Sequence, residues 1–262
     1  MARRPASAAL TEWGSLLAGA VLLGLLGCGK AAPAQAPDAL VCGHPKRQQA
    51  LGEVHAQTQC GPTLDFTPVN SYQGDLSDIM DREDAVALLD GRCTGTLVQA
   101  AAGPVVLTAG HCTALGDRVL AVFNFEDAPD GDPLMTEGTV IEQSMDPDYA
   151  LIQLDQLPHV TPLQLTSLPT ERLAIIQHPR GHPKVVAEGW YEDACDDLVY
   201  YSDLDTLVGS SGAAILNRHG YVLGVHTDGD CDEQGHGTNR GWSAKTVVAA
   251  SPYLQDSDIA ER

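Results

Sequence analysis

Val105-Val-Leu-Thr-Ala-Gly-His-Cys112 is the stretch that decides the fold. Its apolar start has the length and β-branched character of a buried strand, and the small pair Ala109-Gly110 then turns the chain into a histidine and a cysteine. Upstream, Cys93-Thr-Gly-Thr-Leu-Val98 is a second short run that opens on a cysteine. Downstream, Asp146-Pro-Asp-Tyr-Ala-Leu-Ile152 puts acidic residues at the head of an apolar strand. Further on, Asp205-Thr-Leu-Val-Gly-Ser-Ser-Gly-Ala-Ala-Ile-Leu216 sets Ser211 in a glycine-flanked turn. A His, an Asp and a Ser therefore follow one another in that order. A serine hydroxyl is a poor nucleophile at neutral pH. It becomes a good one when an imidazole takes its proton and a carboxylate holds the imidazole in the right tautomer.

Short apolar runs continue on both sides, about every ten to fifteen residues, between Gly, Pro and Asp and with no sustained 3.6 period. One set is Ala85–Leu89, Thr94–Val98, Val105–Leu107, Val119–Phe123, Gly138–Ile141 and Ala150–Leu154. The other is Ala174–Ile176, Lys184–Val186, Leu198–Tyr201, Ala213–Leu216, Tyr221–Val225 and Gly241–Ser243. The Pro-rich stretch Leu157–Pro169 divides them. This spacing predicts an all-β fold of two six-stranded antiparallel barrels, about 81–160 and about 170–250 within a domain over 81–262. Residues 244–250 read as a short terminal helix. Residues 41–80 form an N-terminal extension with few periodic signals.

The four motifs resemble the trypsin/chymotrypsin clan of serine proteases, over roughly residues 85–245. The resemblance implies a chymotrypsin-like fold and a serine endopeptidase acting on polypeptides. It implies His111 as general base, Asp148 as the residue that orients it, and Ser211 as nucleophile, with the amides of Gly209 and Ser211 binding the oxyanion. Asp146 precedes Pro147 and fits the acidic motif less well than Asp148; Ser210 does not directly precede Gly212, as the nucleophile should. Ala213-Ala214 stands where the clan usually has Ser-Pro. Ile175-Ile-Gln-His-Pro-Arg-Gly-His-Pro-Lys-Val-Val186 resembles the bacterial glutamyl-endopeptidase-like branch, in which His178 and His182 would be structural. In that branch the positions of Thr206 and His226 bind a substrate carboxylate, so the likeness implies Glu or Asp before the scissile bond, met by an imidazolium and a hydroxyl. Asp228 and Asp230 follow at once and oppose that reading. No Ile-Val-Gly-Gly precedes Cys93, so no further activating cut is expected. Two other classes share these motifs: a catalytically silent protease-fold binding module and a serine esterase.

Arg3 and Arg4 precede the apolar run Leu16–Gly27, which is too short to span a membrane and reads as a signal-peptide core. It ends Leu25-Leu-Gly-Cys28, which resembles a bacterial lipobox. Residues 1–27 would be removed, Cys28 lipidated, and 28–40 left as a tether to the envelope membrane. The alternative is an ordinary leader cut near Ala32–Ala36 and a secreted chain. Without residues 1–27 the chain keeps 13 basic and 34 acidic residues, a charge of about −21, which excludes nucleic acid as a partner. Seven cysteines are present, and setting Cys28 aside leaves an even number in an exported chain, as disulfides require. Their spacing does not suit zinc. Asp228–Glu233 is an acidic loop that misses the EF-hand spacing, so neither a metal nor a cofactor is expected. The clan resemblance implies Cys93–Cys112, with Cys195–Cys231 and Cys42–Cys60 to follow. The competing arrangement ties the N-terminal segment to the second barrel through Cys231, as in lysyl-endopeptidase-like relatives. A monomer is expected.

Overall fold

Strand β4 (Arg118–Phe123) alternates exposed and buried side chains, the period-two pattern of a strand with one face in a core and one in water. The strands β1 (Val86–Leu89), β2 (Cys93–Val98) and β3 (Val105–Thr108) are buried throughout. With β5 (Leu134–Met145) and β6 (Asp148–Leu154) they close an antiparallel barrel in the order β1-β2-β3-β6-β5-β4. The computed structural model describes residues 57–61, 63–195, 197–229, 231 and 235–261. The expected leader, Cys28, the tether and Cys42 lie outside them, as do Asp230, Asp232 and Glu233.

A second closed barrel follows: β7 (Arg172–Gln177), β8 (Val185–Cys195), β9 (Leu198–Ser202), β10 (Ala214–Asn217), β11 (Val222–Gly229) and β12 (Asn239–Ser243). Its order, β7-β8-β9-β12-β11-β10 closed by β7–β10, repeats that of the first, although the sequence carries no repeat. Strand β7 shows how the two cores divide. Leu173 and Ile175 point into the second barrel, while Ala174 and Ile176 join the cluster that is continuous with the first. The helix α1 (Ala244–Ala250) begins where expected, because Ser243 Oγ accepts from Thr246 N at 3.1 Å as an N-cap.

The extension packs on both barrels. Thr67–Pro68 pairs with Val186 and Val185 of β8, and Val69, Leu76 and Ile79 are buried. Short 3₁₀ turns over Val69–Ser71 and Ser77–Ala85 have no long-period signature, which is why the sequence left this region unplaced. The expected pairings Cys195–Cys231 and Cys42–Cys60 are overturned. Cys60 is bonded to Cys231, with Cα atoms 5.4 Å apart, and Cys195 is disulfide-bonded to a partner outside the described residues. The cause is a strand pairing: Gln57–Thr58 lies against Thr206–Leu207 and carries Cys60 to the second barrel. Cys93–Cys112 forms as the resemblance implied.

Lys184 is fully buried, and its Nζ donates to Glu83 O at 2.9 Å and to Glu126 Oε1 at 2.6 Å, as well as to the Glu83 carboxylate. It thereby ties the start of β8 to the turn before β1 and to the segment after β4. Burying one ammonium with two carboxylates leaves an excess negative charge, which favours holding one proton in the cluster. Burial and a hydrogen bond to Glu126 push Glu83 up to about 7 against the pull of Lys184. Burial also opposes charge on Glu126, but hydrogen bonds from Glu83 and Lys184 outweigh it and hold that carboxyl low. Between about pH 5 and 7 the folded state thus keeps a proton on Glu83 that the unfolded chain has released. Stability falls as pH rises through that window, by at most about 1.4 kcal/mol per pH unit. Glu83→Gln removes this slope, so urea midpoints of wild type and variant compared at pH 5 and pH 8 converge at the lower pH and separate in the variant's favour at the higher.

Candidate active site

Strand β3 runs through Ala109 into the single turn Gly110–Cys112, which carries His111. Asp148 opens β6. Its Oδ1 accepts from His111 N at 2.9 Å and its Oδ2 from His111 Nδ1 at 2.7 Å. A carboxylate can only accept, so Nδ1 carries the proton and Nε2 keeps its lone pair. The bond to Asp148 raises the His111 pKa above the ordinary imidazole value; burial opposes this, and the charges of Asp148 and Asp228 add to it. Gly110 permits the approach: a Cβ there would lie 1.9 Å from Ser144 O and 2.9 Å from Asp148 Oδ1. The carboxylate that pairs with His111 is that of Asp148; Asp146 is exposed, and its backbone N–H donates to Ser144 Oγ.

The Ser211 turn is built from its neighbours. Ser210 is buried, its N–H donating to Leu207 O at 2.9 Å and its Oγ accepting from Leu207 N at 3.0 Å. Ser211 is half-buried, and the amides of Gly209 and Ser211 donate to no acceptor among the described residues. Both flanking glycines are required. Gly209 (φ +99°) has His178 O and Arg180 N 2.7 Å from where a Cβ would stand, and Gly212 (φ +86°) has Thr94 O at 2.3 Å. Thr94 seats this turn against β2. Its N–H donates to Ser211 O at 2.9 Å, and its Oγ1 donates to Gly209 O at 2.8 Å while accepting from His178 N at 3.0 Å. Cys112 Sγ lies 3.7 Å from Ser211 O, so the His111 and Ser211 turns adjoin across the seam between the barrels. The sequence reading missed Thr94, since a buried strand threonine carries no signal of its own.

Beside the turn, His226 N donates to Ala213 O at 2.8 Å and His226 O accepts from Gly212 N at 2.8 Å. The ring is buried and its Nδ1 is hydrogen-bonded with the Tyr201 hydroxyl. Burial, with the charge of His111, pushes this imidazole down to about 3, against a hydrogen bond to the Arg240 backbone. The charged imidazolium expected at this position is therefore opposed by the fold. Asn239 Nδ2 donates to Leu204 O (2.8 Å) and to Thr206 Oγ1 (3.2 Å), and Thr206, Asn239, Tyr201 and His226 are all buried. Asp228, 3.7 Å from Arg240 Nε, adds its charge to the factors that raise the His111 pKa. His178 is buried, donates Nδ1 to His182 O at 3.0 Å, and is pushed down to about 4 by burial.

The profile of the trypsin-like peptidase domain matches residues 93–225, from the start of β2 into β11, with both turns inside. The chain belongs to this family. No curated protein matches its sequence. Among solved structures, this peptidase domain is similar to the serine endoprotease from Yersinia pestis, with a TM-score of 0.55 and 14% identity over 68% of this chain and 65% of that one. It is similar to the HtrA-type protease AlgW with tripeptide, with a TM-score of 0.54 and 19% identity over 67% of this chain and 62% of that one. It is also similar to an inactive form of Rv3671c from M. tuberculosis H37Rv, with a TM-score of 0.52 and 18% identity over 72% of this chain and 93% of that one. At these identities the likeness is one of fold, and the peptidase domain spans just under two thirds of the first two chains.

Proposed function

We propose that this chain is a serine endopeptidase that hydrolyses peptide bonds by acyl transfer. Ser211 attacks the carbonyl carbon, and His111 Nε2 takes the hydroxyl proton and later gives it to the leaving amine. Asp148 holds Nδ1–H and stabilises the imidazolium, and the amides of Gly209 and Ser211 receive the oxyanion. The observation that carries this reading is the pair of hydrogen bonds, at 2.9 and 2.7 Å, that His111 donates to Asp148, beside a turn with two unspent amides. A fluorophosphonate probe should label the purified chain at one serine, with the label found on the peptide containing Ser211. Labelling elsewhere, or none, overturns the proposal, and a chain that labels but hydrolyses esters alone is an esterase. The leader and the Leu25-Leu-Gly-Cys28 motif support a finer part of the proposal, a lipid anchor on Cys28 at the cell envelope.

The preference for Glu or Asp before the scissile bond rests on Thr206 and His226. With the free imidazole near 3, a substrate carboxylate must draw a proton onto His226 as it binds, so selectivity for Glu over Gln rises as pH falls. The ratio of kcat/KM for peptides differing only in Glu or Gln, measured from pH 8 to pH 5, reads this directly and cancels the titration of His111. A mixed-peptide digest supports the preference if cleavage after Glu disappears in His226→Ala; cleavage after Lys or Arg refutes it.

A further inference from the structure

Two chain segments flank Ser211: Thr206–Val208 on the way into the turn, and the end of β11 with Cys231 beyond it. The extension touches both. On the first side, Gln57 and Thr58 pair antiparallel with Leu207 and Thr206. Immediately before that pair stands Asp205, buried to 1% exposure. Its Oδ1 accepts from Cys60 N at 2.8 Å and its Oδ2 from Asp65 N at 2.6 Å, while its own carbonyl accepts from Gln177 Nε2 at 2.8 Å. On the second side, Cys60 is bonded to Cys231, and Gly61 N donates to Gly235 O at 2.9 Å. Gly235, at φ +79°, has no room for a side chain, because a Cβ would lie 2.2 Å from Gly61 O.

We propose that the segment Gln57–Asp65 is a clamp that sets the gap between the two segments flanking Ser211, with Asp205 as its anchoring residue, and that substrate selection depends on it. This rests on the serine-endopeptidase reading. A carboxylate buried on backbone amides is costly to place and costly to lose: removing it strands the buried N–H of Cys60 and takes the acceptor from the N–H of Asp65. Here that cost is spent on joining the extension to the strand before the nucleophile turn, while the disulfide joins the same loop to the opposite flank. Neither connection reaches the amides of Gly209 and Ser211. Loss of the clamp thus widens the space for the substrate side chain and leaves the acylation machinery in place. Asp205 is a positioning residue, acting through the walls of the site and not on the reacting atoms.

The test uses the full chain with Asp205→Ala, Asp205→Asn and the double variant Cys60→Ser/Cys231→Ser. Each is checked for labelling by a small fluorophosphonate without a peptide side chain, and for kcat and KM on peptides differing only before the scissile bond. Expected are persistent labelling of Ser211, a KM for the preferred peptide raised about tenfold or more, and a collapse of selectivity. Asp205→Asn, which keeps one acceptor oxygen, should fall between wild type and Asp205→Ala. The double variant serves where Asp205→Ala does not fold. Unchanged KM and selectivity in the double variant overturns the clamp. So does a loss of labelling in proportion to the loss of turnover, because that makes the segment a support of the nucleophile turn. Absence of labelling in the wild type instead removes the endopeptidase reading, so the two failures are told apart.

Discussion

Ser211→Ala should lower kcat on a good peptide substrate by about 10⁶-fold while leaving KM and thermal stability close to wild type. The size follows from removing the nucleophile, since His111 and Asp148 have no proton to move without it. A remainder of about 10³ to 10⁴ over the uncatalysed rate survives on the unspent amides and on binding. Stability is spared because the fold uses the backbone of this residue: Thr94 N donates to the Ser211 carbonyl, which the substitution retains. Ser210→Ala is the contrasting variant. Its hydroxyl accepts from Leu207 N inside the turn, so it should lose stability yet still be labelled by a fluorophosphonate. Steady-state kinetics with thermal melts of both variants decide the matter. A labelled Ser211→Ala, or a Ser210→Ala that folds normally and is never labelled, would move the nucleophile to the neighbouring serine.

Asp148→Asn should lower kcat by about 10⁴-fold with little change in structure. An amide nitrogen at this position donates to Nδ1, which drives the proton onto Nε2, and an Nε2–H cannot take the proton of Ser211. The pH profile carries a second signature. In the wild type, the bond to Asp148 raises the His111 pKa above its ordinary 6.5. Only neutral His111 can act as base, so kcat/KM should fall as pH falls through that raised value. With the carboxylate gone, the acid limb of the residual activity should move to lower pH. Asp146→Asn is the control, because Asp146 is exposed and its amide bonds Ser144 Oγ rather than His111. Profiles of kcat/KM from pH 4 to 9 measure both effects, and a variant with wild-type turnover excludes Asp148 as the orienting residue.

Much of the architecture was legible because it rests on short-range rules. Each of the twelve apolar runs lies on or at the end of a barrel strand, and the helix over Ala244–Ala250 has its serine cap directly before it. Strands β5 and β8 extend well past their apolar runs, since their polar halves are held by the register of partner strands and not by a pattern of their own. His111 and Asp148 were marked by the residues around them, and the structure brings them together; Ser211 sits on the adjoining turn.

By itself, then, the sequence determined where strands run, where the chain turns on glycine, and which His, Asp and Ser stand in motifs. Those properties depend on residues within a few positions of one another, where periodicity and turn chemistry act. Only the tertiary structure decided which cysteine meets Cys231, since the choice depends on a two-residue strand, Gln57–Thr58, finding Thr206–Leu207. It alone made Lys184 a buried ion-pair centre, gave Thr94 and Asp205 their tasks, and kept His226 neutral. The fate of a polar side chain is set by desolvation and by partners that chain folding delivers from 115 residues away for Thr94 and 145 for Asp205, which no local pattern encodes.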